Sequence, residues 1–212
     1  GQSQEVWRRD LREVLTLGPP HISLYNLTIE PGTPMNSQLA KGEFEPPEES
    51  LAARLFTETG EILGGAGYRH YEVSNFAKEG FHSRHNWSYW KGTPYLGIGA
   101  GAHSYIDPER SWNVRSIQQY IDLVKEGRLP RRDAERLTEN DRFTERVMLA
   151  LRTDDGLPLS SLPAAERARL LNNISRLNAS NGSQFVEAIN DIIRIPHRHW
   201  VLSDEIIAEL VR

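Results

Sequence analysis

The sequence predicts an α/β protein in two parts: the last part of an incomplete (βα) barrel over residues 1–115, then a small helical, winged-helix-like domain over residues 116–212. In the first hundred residues, helical and strand-like segments alternate, as in a sheet with crossover helices. The second part carries helical patterns that end in a hairpin pattern and a closing helix. The chain has 212 residues, of which 38% are apolar, and this is enough to build a packed core.

Alternating periodicities justify the elements of the first part in order. Apolar residues at helical spacing mark two helices, the first ended by glycine and two prolines and the second by a cluster of glycines. Because two or three βα units cannot close a barrel, we expect further units to precede this chain. The predicted elements are a helix over 4–17, a strand over 21–29, a helix over 47–64, a strand over 69–74, a loop rich in aromatic residues over 75–94 and a small-residue strand or turn over 95–103.

The second part shows helix starts and one tight turn. The run Thr138-Glu139-Asn140-Asp141 resembles a helix N-terminus, Asn190-Asp191 suits a hairpin turn, and Ser203 is expected to cap the last helix. The mixed-charge run over 128–133 is expected to be a solvated linker. The predicted elements are helices over 116–126, from 138 to about 151, over 164–177 (broken by 178–182) and over 203–211, a turn over 154–156 and a hairpin of 185–189 with 192–195.

Composition excludes several classes of function. The chain has no cysteine, so it has no disulfide, no cysteine nucleophile and no thiolate ligand for zinc or an iron–sulfur cluster. A formal net charge of −4 argues against a nucleic-acid-binding winged helix, which needs a basic surface. No apolar run approaches the roughly 20 residues of a membrane helix, and the N-terminus does not resemble a signal peptide.

Ligands of α/β barrels bind beyond the C-terminal ends of the strands, and three segments occupy such positions: 25–34, 71–77 and 97–104. Glu30 and Glu72 are candidates for general acids or ligand clamps there, and equally for loop caps. The alternating glycines of the third segment allow a flat ligand or a backbone to approach closely, or simply a tightly packed strand. They lack the spacing of a dinucleotide-binding fingerprint.

The loop over 82–90 has five rings in nine residues. Such rings suit stacking on a macrocycle or a nucleobase, and they would equally seal one end of a barrel. His85 is a candidate axial heme ligand, since imidazole suits iron, with local hydrogen bonding as the alternative. His82 and His85 lie three residues apart, but no carboxylate motif accompanies them, so the sequence does not favour a two-histidine metal site.

Three motifs, in order and spacing, resemble the oxygen-independent coproporphyrinogen III oxidase-like family of radical-SAM proteins, and most closely its heme-chaperone branch. They read HISLYNLTIEPGTP, GYRHYEVSNFAKEG and HNWSYWKGTPYLGIGAGAHSY. The tail strings DDGLPL and HWVLSDEIIAEL resemble the family's C-terminal domain. The resemblance covers nearly the whole chain and implies the C-terminal portion of a partial radical-SAM barrel with its helical tail.

The resemblance also implies cofactors and site residues. Members of the family use a [4Fe–4S] cluster and S-adenosylmethionine, and their CxxxCxxC cluster loop has no counterpart in this chain. The chain is therefore expected to be inactive alone. It is either a portion of a longer protein, which its start midway through a βα unit favours, or a degenerate relative without the cluster. In the chaperone branch an HNxxYW motif is associated with heme. Carried over, the candidates are His85 as heme ligand, Trp87, Tyr89 and Trp90 in the heme loop, and Ile98, Gly99 and Ala100 facing S-adenosylmethionine.

Two functions are implied for the longer protein. It binds heme and delivers it to heme-accepting respiratory proteins, or it decarboxylates coproporphyrinogen III to protoporphyrinogen IX. The aromatic loop with its histidine favours heme binding, because a macrocycle that is only a substrate needs no axial imidazole. The expected location is the cytoplasm, with any membrane association through a partner.

Overall fold

The computed structural model of the chain describes residues 2–46, 48–181 and 183–212. The helices are α1 Gln4–Leu17, α2 Pro34–Ala40, α3 Glu49–Gly65, α4 Arg84–Trp90, α5 Ile117–Lys125, α6 Glu139–Ala150, α7 Ala164–Asn181 and α8 Ser203–Val211. The strands are β1 His21–Ser23, β2 Arg69–Glu72, β3 Asn75–Ala77, β4 His103–Ile106, β5 Glu109–Asn113, β6 Arg131–Arg136, β7 Leu157–Pro158, β8 Glu187–Ile189 and β9 Ile192–Arg194. None of the helices in the described ranges is long and apolar enough to cross a bilayer.

The first sheet contains both strands of the predicted βα units. Its order is β1-β3-β2, and β3 is antiparallel to both neighbours, so β1 and β2 run in the same direction without pairing. The chain turns sharply at Val73 and Ser74 and returns at once as β3, a strand that the sequence pattern did not reveal. Strand β1 is also shorter than predicted, because residues 24–29 leave the sheet.

Two cores support the chain. A small core in the first part joins α1, β1, α3 and β3 through Leu11, Ile22, Leu63, Tyr68 and Phe76. A larger core lies in the second part of the chain, residues 116–212, called the tail below. It joins α6, α7, α8 and the third sheet, whose order is β7-β9-β8. The tail core also covers Phe56 of α3 and Val73, so the two parts of the chain are packed together.

The predicted boundary at 115/116 stays a prediction. The second sheet, order β4-β5-β6, pairs β5 with β6 across that point in the chain. The mixed-charge run is therefore only partly a linker, since Arg131 onwards forms strand β6. Its side chains are largely exposed, but backbone pairing with β5, which no local pattern reports, makes it a strand.

Most predicted helix starts are confirmed, and two details are wrong. Thr138 and Asp141 form a reciprocal capping box at α6. The α8 cap residue is Leu202, and Ser203 lies inside the helix and is buried. The break predicted from Asn178 does not occur at that residue, because its side chain binds the backbone of Val186 instead of competing with the helix. The predicted start of α3 at Pro47 and the Gly182 position lie outside the described residues.

The predicted hairpin closes on Asn190 and Asp191, whose φ angles of 49° and 68° are both positive. Two-residue hairpin turns of this hand match the twist of the strands, and asparagine and aspartate tolerate the conformation. The turn also serves the tail core, because the N–H of Leu159 donates to the carbonyl oxygen of Asp191 at 2.7 Å. The hairpin is therefore fixed at its tip as well as along its strands.

Candidate functional site

The aromatic segment predicted as a loop contains the short helix α4, which Ser83 caps by accepting a hydrogen bond from the N–H of Asn86 at 3.3 Å. The helix places His85 and Tyr89 on one face, where the two rings meet edge to face with centroids 5.0 Å apart. Tyr89 in turn lies edge to face against Tyr95 at 4.8 Å. His85 is exposed, so its imidazole is accessible beside two tyrosine rings.

The opposite face of α4 rests on Tyr71 of β2. The ring of Trp87 meets the ring of Tyr71 at 5.7 Å, and the ring of His82 stacks on it at 4.2 Å. The Tyr71 hydroxyl lies 2.8 Å from Nε2 of His21 and accepts a hydrogen bond from the N–H of Ser83 at 3.3 Å. Tyr71 is fully buried, and it therefore anchors the helix that carries His85.

Burial keeps the side chains of His21, His82 and Tyr71 beneath α4 uncharged. Desolvation lowers the pKa of His21, and the neighbouring His82 lowers it further. Desolvation also lowers the pKa of His82 and raises that of Tyr71. Both imidazoles and the phenol are therefore neutral near pH 7, and the contacts beneath α4 are hydrogen bonds and ring packing.

Charged contacts connect α4 to the tail. The ammonium of Lys91, at the end of α4, lies 4.7 Å above the Trp87 ring and 2.7 Å from a carboxylate oxygen of Asp155. Beside it, Arg69 of β2 pairs with Asp154 at 2.5 Å. A hydrogen bond from His197, opposed by burial and aided by Arg69, lowers the pKa of Asp154 to about 2. The Asp154-Asp155 turn therefore holds β2 and α4 together.

Backbone hydrogen bonds also join β2 to the tail, along the side of β2 that does not pair with β3. The N–H of Val73 donates to the carbonyl oxygen of Arg152, and the N–H of Asp154 donates to that of Tyr71, both at 3.0 Å. Between them, Glu72 and Thr153 form an antiparallel bridge. Strand β2 thus continues its hydrogen bonding onto a segment of the tail.

Glu72 and Glu30 are in different environments. Glu72 is 1% exposed; its Oε2 accepts a hydrogen bond from the N–H of Ser74 at 3.2 Å, while its Oε1 has no partner within the described ranges. Burial raises the pKa of Glu72. Glu30 is exposed, and its carbonyl oxygen accepts a hydrogen bond from the Thr33 hydroxyl at 2.7 Å. The clamp or general-acid role for either residue stays a prediction.

The glycine-rich segment is an irregular edge beside β4. A Cβ at Gly97 would overlap the backbone carbonyl of His103, so a larger residue does not fit there. The side-chain amide of Asn113 donates to the carbonyl oxygens of Gly97 and Gly99, at 3.3 and 2.9 Å, and holds the segment in place. Ile98 is 89% exposed, next to Gly99, whose φ is 114°. An exposed apolar side chain beside accessible backbone would suit an adenosine group. The contact of Ile98, Gly99 and Ala100 with S-adenosylmethionine stays a prediction.

The residues of this chain do not fit the [4Fe–4S] cluster of the radical-SAM proteins. The chain contains no cysteine, and no group of three or more histidine or acidic residues arranged to hold a metal occurs in the described ranges. The heme-loop candidates fit a heme-binding role better than the chain fits the iron–sulfur cluster. The structure brings His85, Trp87 and Tyr89 onto one short helix, with Trp90 half-buried at its end. Tyr71 was missed as an anchor, although its position at the end of a predicted strand was a signal.

Comparison with known proteins gives a consistent set of relatives, although no family model matches the chain. The chain is 36% identical over 169 residues to the heme chaperone HemW of Mycobacterium tuberculosis, covering 80% of this chain and 43% of that protein. It is 35% identical to HemW of Bacillus subtilis, covering 74% of this chain and 41% of that protein. It is 36% identical to the mitochondrial radical S-adenosyl methionine domain-containing protein 1 of Mus musculus, covering 74% of this chain and 37% of that protein.

The fold has a counterpart among solved structures. Coproporphyrinogen III oxidase (HemN) from Escherichia coli, a radical SAM enzyme, superimposes with a TM-score of 0.72 at 20% identity, over 99% of this chain and 52% of that one. The chain spans about half the length of the proteins that it matches, in their C-terminal portion. Over that portion, the relatives and the fold of the chain fit a HemN-like radical-SAM family.

Proposed function

We propose that this chain is the heme-binding portion of a protein that binds heme and delivers it to a heme-accepting protein. One observation carries the proposal: in a chain similar to proteins named heme chaperones, an exposed imidazole stands on a ring-lined helix. A neutral imidazole is a common axial ligand of heme iron. His85 is the proposed ligand, with heme as cargo.

The surrounding residues divide the work of presenting His85. Tyr89 and Tyr95 offer ring edges and faces beside the imidazole, which suit contact with a flat macrocycle. On the buried side, Tyr71 and Trp87 hold α4 in place through packing and the Tyr71 hydroxyl. A ligand on a fixed helix loses less conformational entropy on binding than one on a mobile loop.

Oxidative decarboxylation of coproporphyrinogen III is the second candidate for the longer protein. There the cluster and S-adenosylmethionine would supply a 5′-deoxyadenosyl radical. This chain provides no thiolate for that cluster. Its own contribution would be the proposed contact of Ile98, Gly99 and Ala100 with S-adenosylmethionine. The likeness to the Escherichia coli oxidase supports the fold alone.

We place the protein in the cytoplasm, with heme-accepting respiratory proteins as partners and any membrane contact made through them. Heme or a porphyrinogen is the small-molecule partner. The support is the set of relatives, together with the acidic net charge of −4, which does not favour a nucleic-acid partner.

Titration of the chain with hemin tests the proposal, with the Soret band as the readout. We expect a saturable, shifted band in the wild type and a loss of affinity of about tenfold or more in His85→Ala, since an axial bond is removed. His199→Ala is the matched control, because His199 packs on Phe185 in the tail. Identical titrations of the wild type and His85→Ala would eliminate ligation by His85 and leave the decarboxylation candidate.

A further inference from the structure

A second group of residues lies on the second sheet, on the face that carries Tyr105. In the register of the second sheet, His103, Trp112 and Asp133 are directly opposite one another across β4, β5 and β6. The rings of His103 and Trp112 stack with centroids 5.8 Å apart. Gly97 lies against the backbone of His103 at the other side, where it adds no side chain of its own.

This row adjoins the rings beside His85. His103 and Tyr105 are two residues apart on β4 and so share a face, with their Cα atoms about 7 Å apart. Tyr95 bridges to Tyr105 on that face, with ring centroids 6.5 Å apart, and Tyr89 of α4 packs on Tyr95. Ring contacts therefore lead from His85 to Tyr105, which lies two residues along β4 from His103.

Two arginines complete a cavity of about 400 Å³ around the row, lined by His103, Trp112, Arg115, Arg132 and Asp133. A register shift between Trp112 and Asn113 places an extra residue in β6. Such a bulge redirects side chains, and here Arg132 and Asp133 both line the cavity although they are adjacent in a strand. The stem of Arg115 passes beside Gly101, where a Cβ would lie 3.9 Å from it.

These two guanidinium groups differ from those of Arg110 and Arg131 on the same sheet, although Arg136 of β6 is likewise without an ion pair among the described residues. Arg110 is paired with Glu135 and Glu145, and Arg131 with Glu109. Arg115 and Arg132 have no ion pair or side-chain hydrogen bond in the described part of the chain. The cavity also holds one carboxylate, Asp133, which accepts a hydrogen bond from the N–H of Ala134 at 2.8 Å. Two unpaired cations therefore face the cavity against one anion that already has a backbone partner.

We propose that this cavity binds the propionate carboxylates of a tetrapyrrole whose iron His85 ligates, an inference that rests on the proposed function. Guanidinium groups bind carboxylates through paired, charge-assisted hydrogen bonds. The His103–Trp112 stack offers a flat apolar surface for the edge of the macrocycle. The carboxylate of S-adenosylmethionine has the same chemistry, so the test separates the two sources.

The test compares hemin with its dimethyl ester, in which both propionates are neutral, in the same cosolvent. We expect the wild type to bind hemin about tenfold more tightly than the ester, as loss of a charge-assisted contact implies. In the double variant Arg115→Gln/Arg132→Gln the preference falls to near one. The control Arg12→Gln/Arg136→Gln makes the same change of charge at exposed arginines outside the cavity and keeps the preference. Thermal melts followed by circular dichroism establish that all variants fold.

Each of the following results overturns the inference. A double variant that prefers hemin as strongly as the wild type shows that the propionates are bound elsewhere. If it keeps that preference but loses calorimetric affinity for S-adenosylmethionine, the cavity holds that carboxylate instead. A wild type whose His85-dependent Soret band is the same with hemin and ester overturns this inference alone, whereas a wild type without saturable binding overturns the proposed function as well.

Discussion

The larger core, which joins α6, α7, α8 and the third sheet, and the strand ends of the first part treat their apolar side chains in opposite ways. In that core, Leu151 and Trp200 are 0% and 1% exposed. In the first part, Leu96 and Ile98 are 73% and 89% exposed, and Tyr25 and Leu27 beyond β1 are exposed as well.

This difference separates residues that stabilise the fold from residues that are available to bind a ligand. The apolar residues of the larger core are enclosed by α6, α7, α8 and the third sheet, and they stabilise the fold. The exposed residues of the first part lie at the glycine-rich segment and beyond a strand end, where α/β proteins bind ligands. Exposed apolar groups there are available to a macrocycle, a cofactor or a partner.

The largest expected effect comes from shortening one apolar side chain in each region. Leu151→Ala leaves a cavity in the tail core and should lower the free energy of unfolding by about 3 kcal/mol, whereas Ile98→Ala should change it by less than about 0.5 kcal/mol. Urea denaturation at constant m-value measures both. Equal costs would mean that Ile98 is packed in solution and that the two regions are alike.

A smaller, pH-dependent effect is expected where the two regions meet. His70 of β2 stacks on Phe76 at 3.9 Å and lies edge to face against Trp200 of the tail at 4.6 Å. Desolvation, with a small contribution from His197, outweighs the hydrogen bond to Val73 and the nearby Asp154 and lowers the pKa of His70 to about 4. The folded state therefore excludes a proton that the unfolded chain binds below about pH 6.5.

The sign of this effect follows directly. Because the unfolded chain binds more protons between pH 6.5 and 4, stability falls as the pH falls through that window. The contribution of His70 should make the free energy of unfolding about 2 kcal/mol lower at pH 5 than at pH 7. His70→Phe should reduce the pH dependence by that amount in urea denaturation at the two pH values. An unchanged dependence would place the effect on other histidines.

The smallest expected effect separates anchoring from general stability. Tyr71→Phe removes the hydroxyl between His21 and Ser83, and Tyr68→Phe removes one that donates to the carbonyl oxygen of Pro19 at 2.5 Å. Each should cost about 1 kcal/mol of stability, since a buried partner loses its hydrogen bond. Only Tyr71→Phe should also weaken hemin binding, because only Tyr71 supports α4. Equal hemin affinities in the two variants would contradict the anchoring role.

Local signals predicted the helices well and the sheets poorly. The capping box of α6 and the hairpin turn at Asn190-Asp191 are encoded by adjacent residues, and both occur where expected. Strand β6 could not be predicted, because a largely charged and exposed segment becomes a strand only by pairing with β5. Helix α4 was missed because its many rings suggested a loop, while its Ser83 cap was the overlooked signal.

The site shows the same division. Motif resemblance picked out His85 and its neighbours, and the structure places them on one helix. The position of Tyr71 at a strand end was a signal, but its contacts with His21 and His82 were not predictable, because these residues meet only in the fold. Arg132 was assigned to a linker, since nothing local indicates the bulge that directs it into the cavity.

The pairing of β2 with the tail also protects the protein from self-association. Strand β2 is the outer strand of its sheet, and its free side is occupied by the backbone of Arg152 and Asp154. An outer strand with open N–H and C=O groups is a template for strands of other molecules. Residues 152–154 fill that template within the same chain, so a shortened chain that lacks them should add strands between molecules and aggregate.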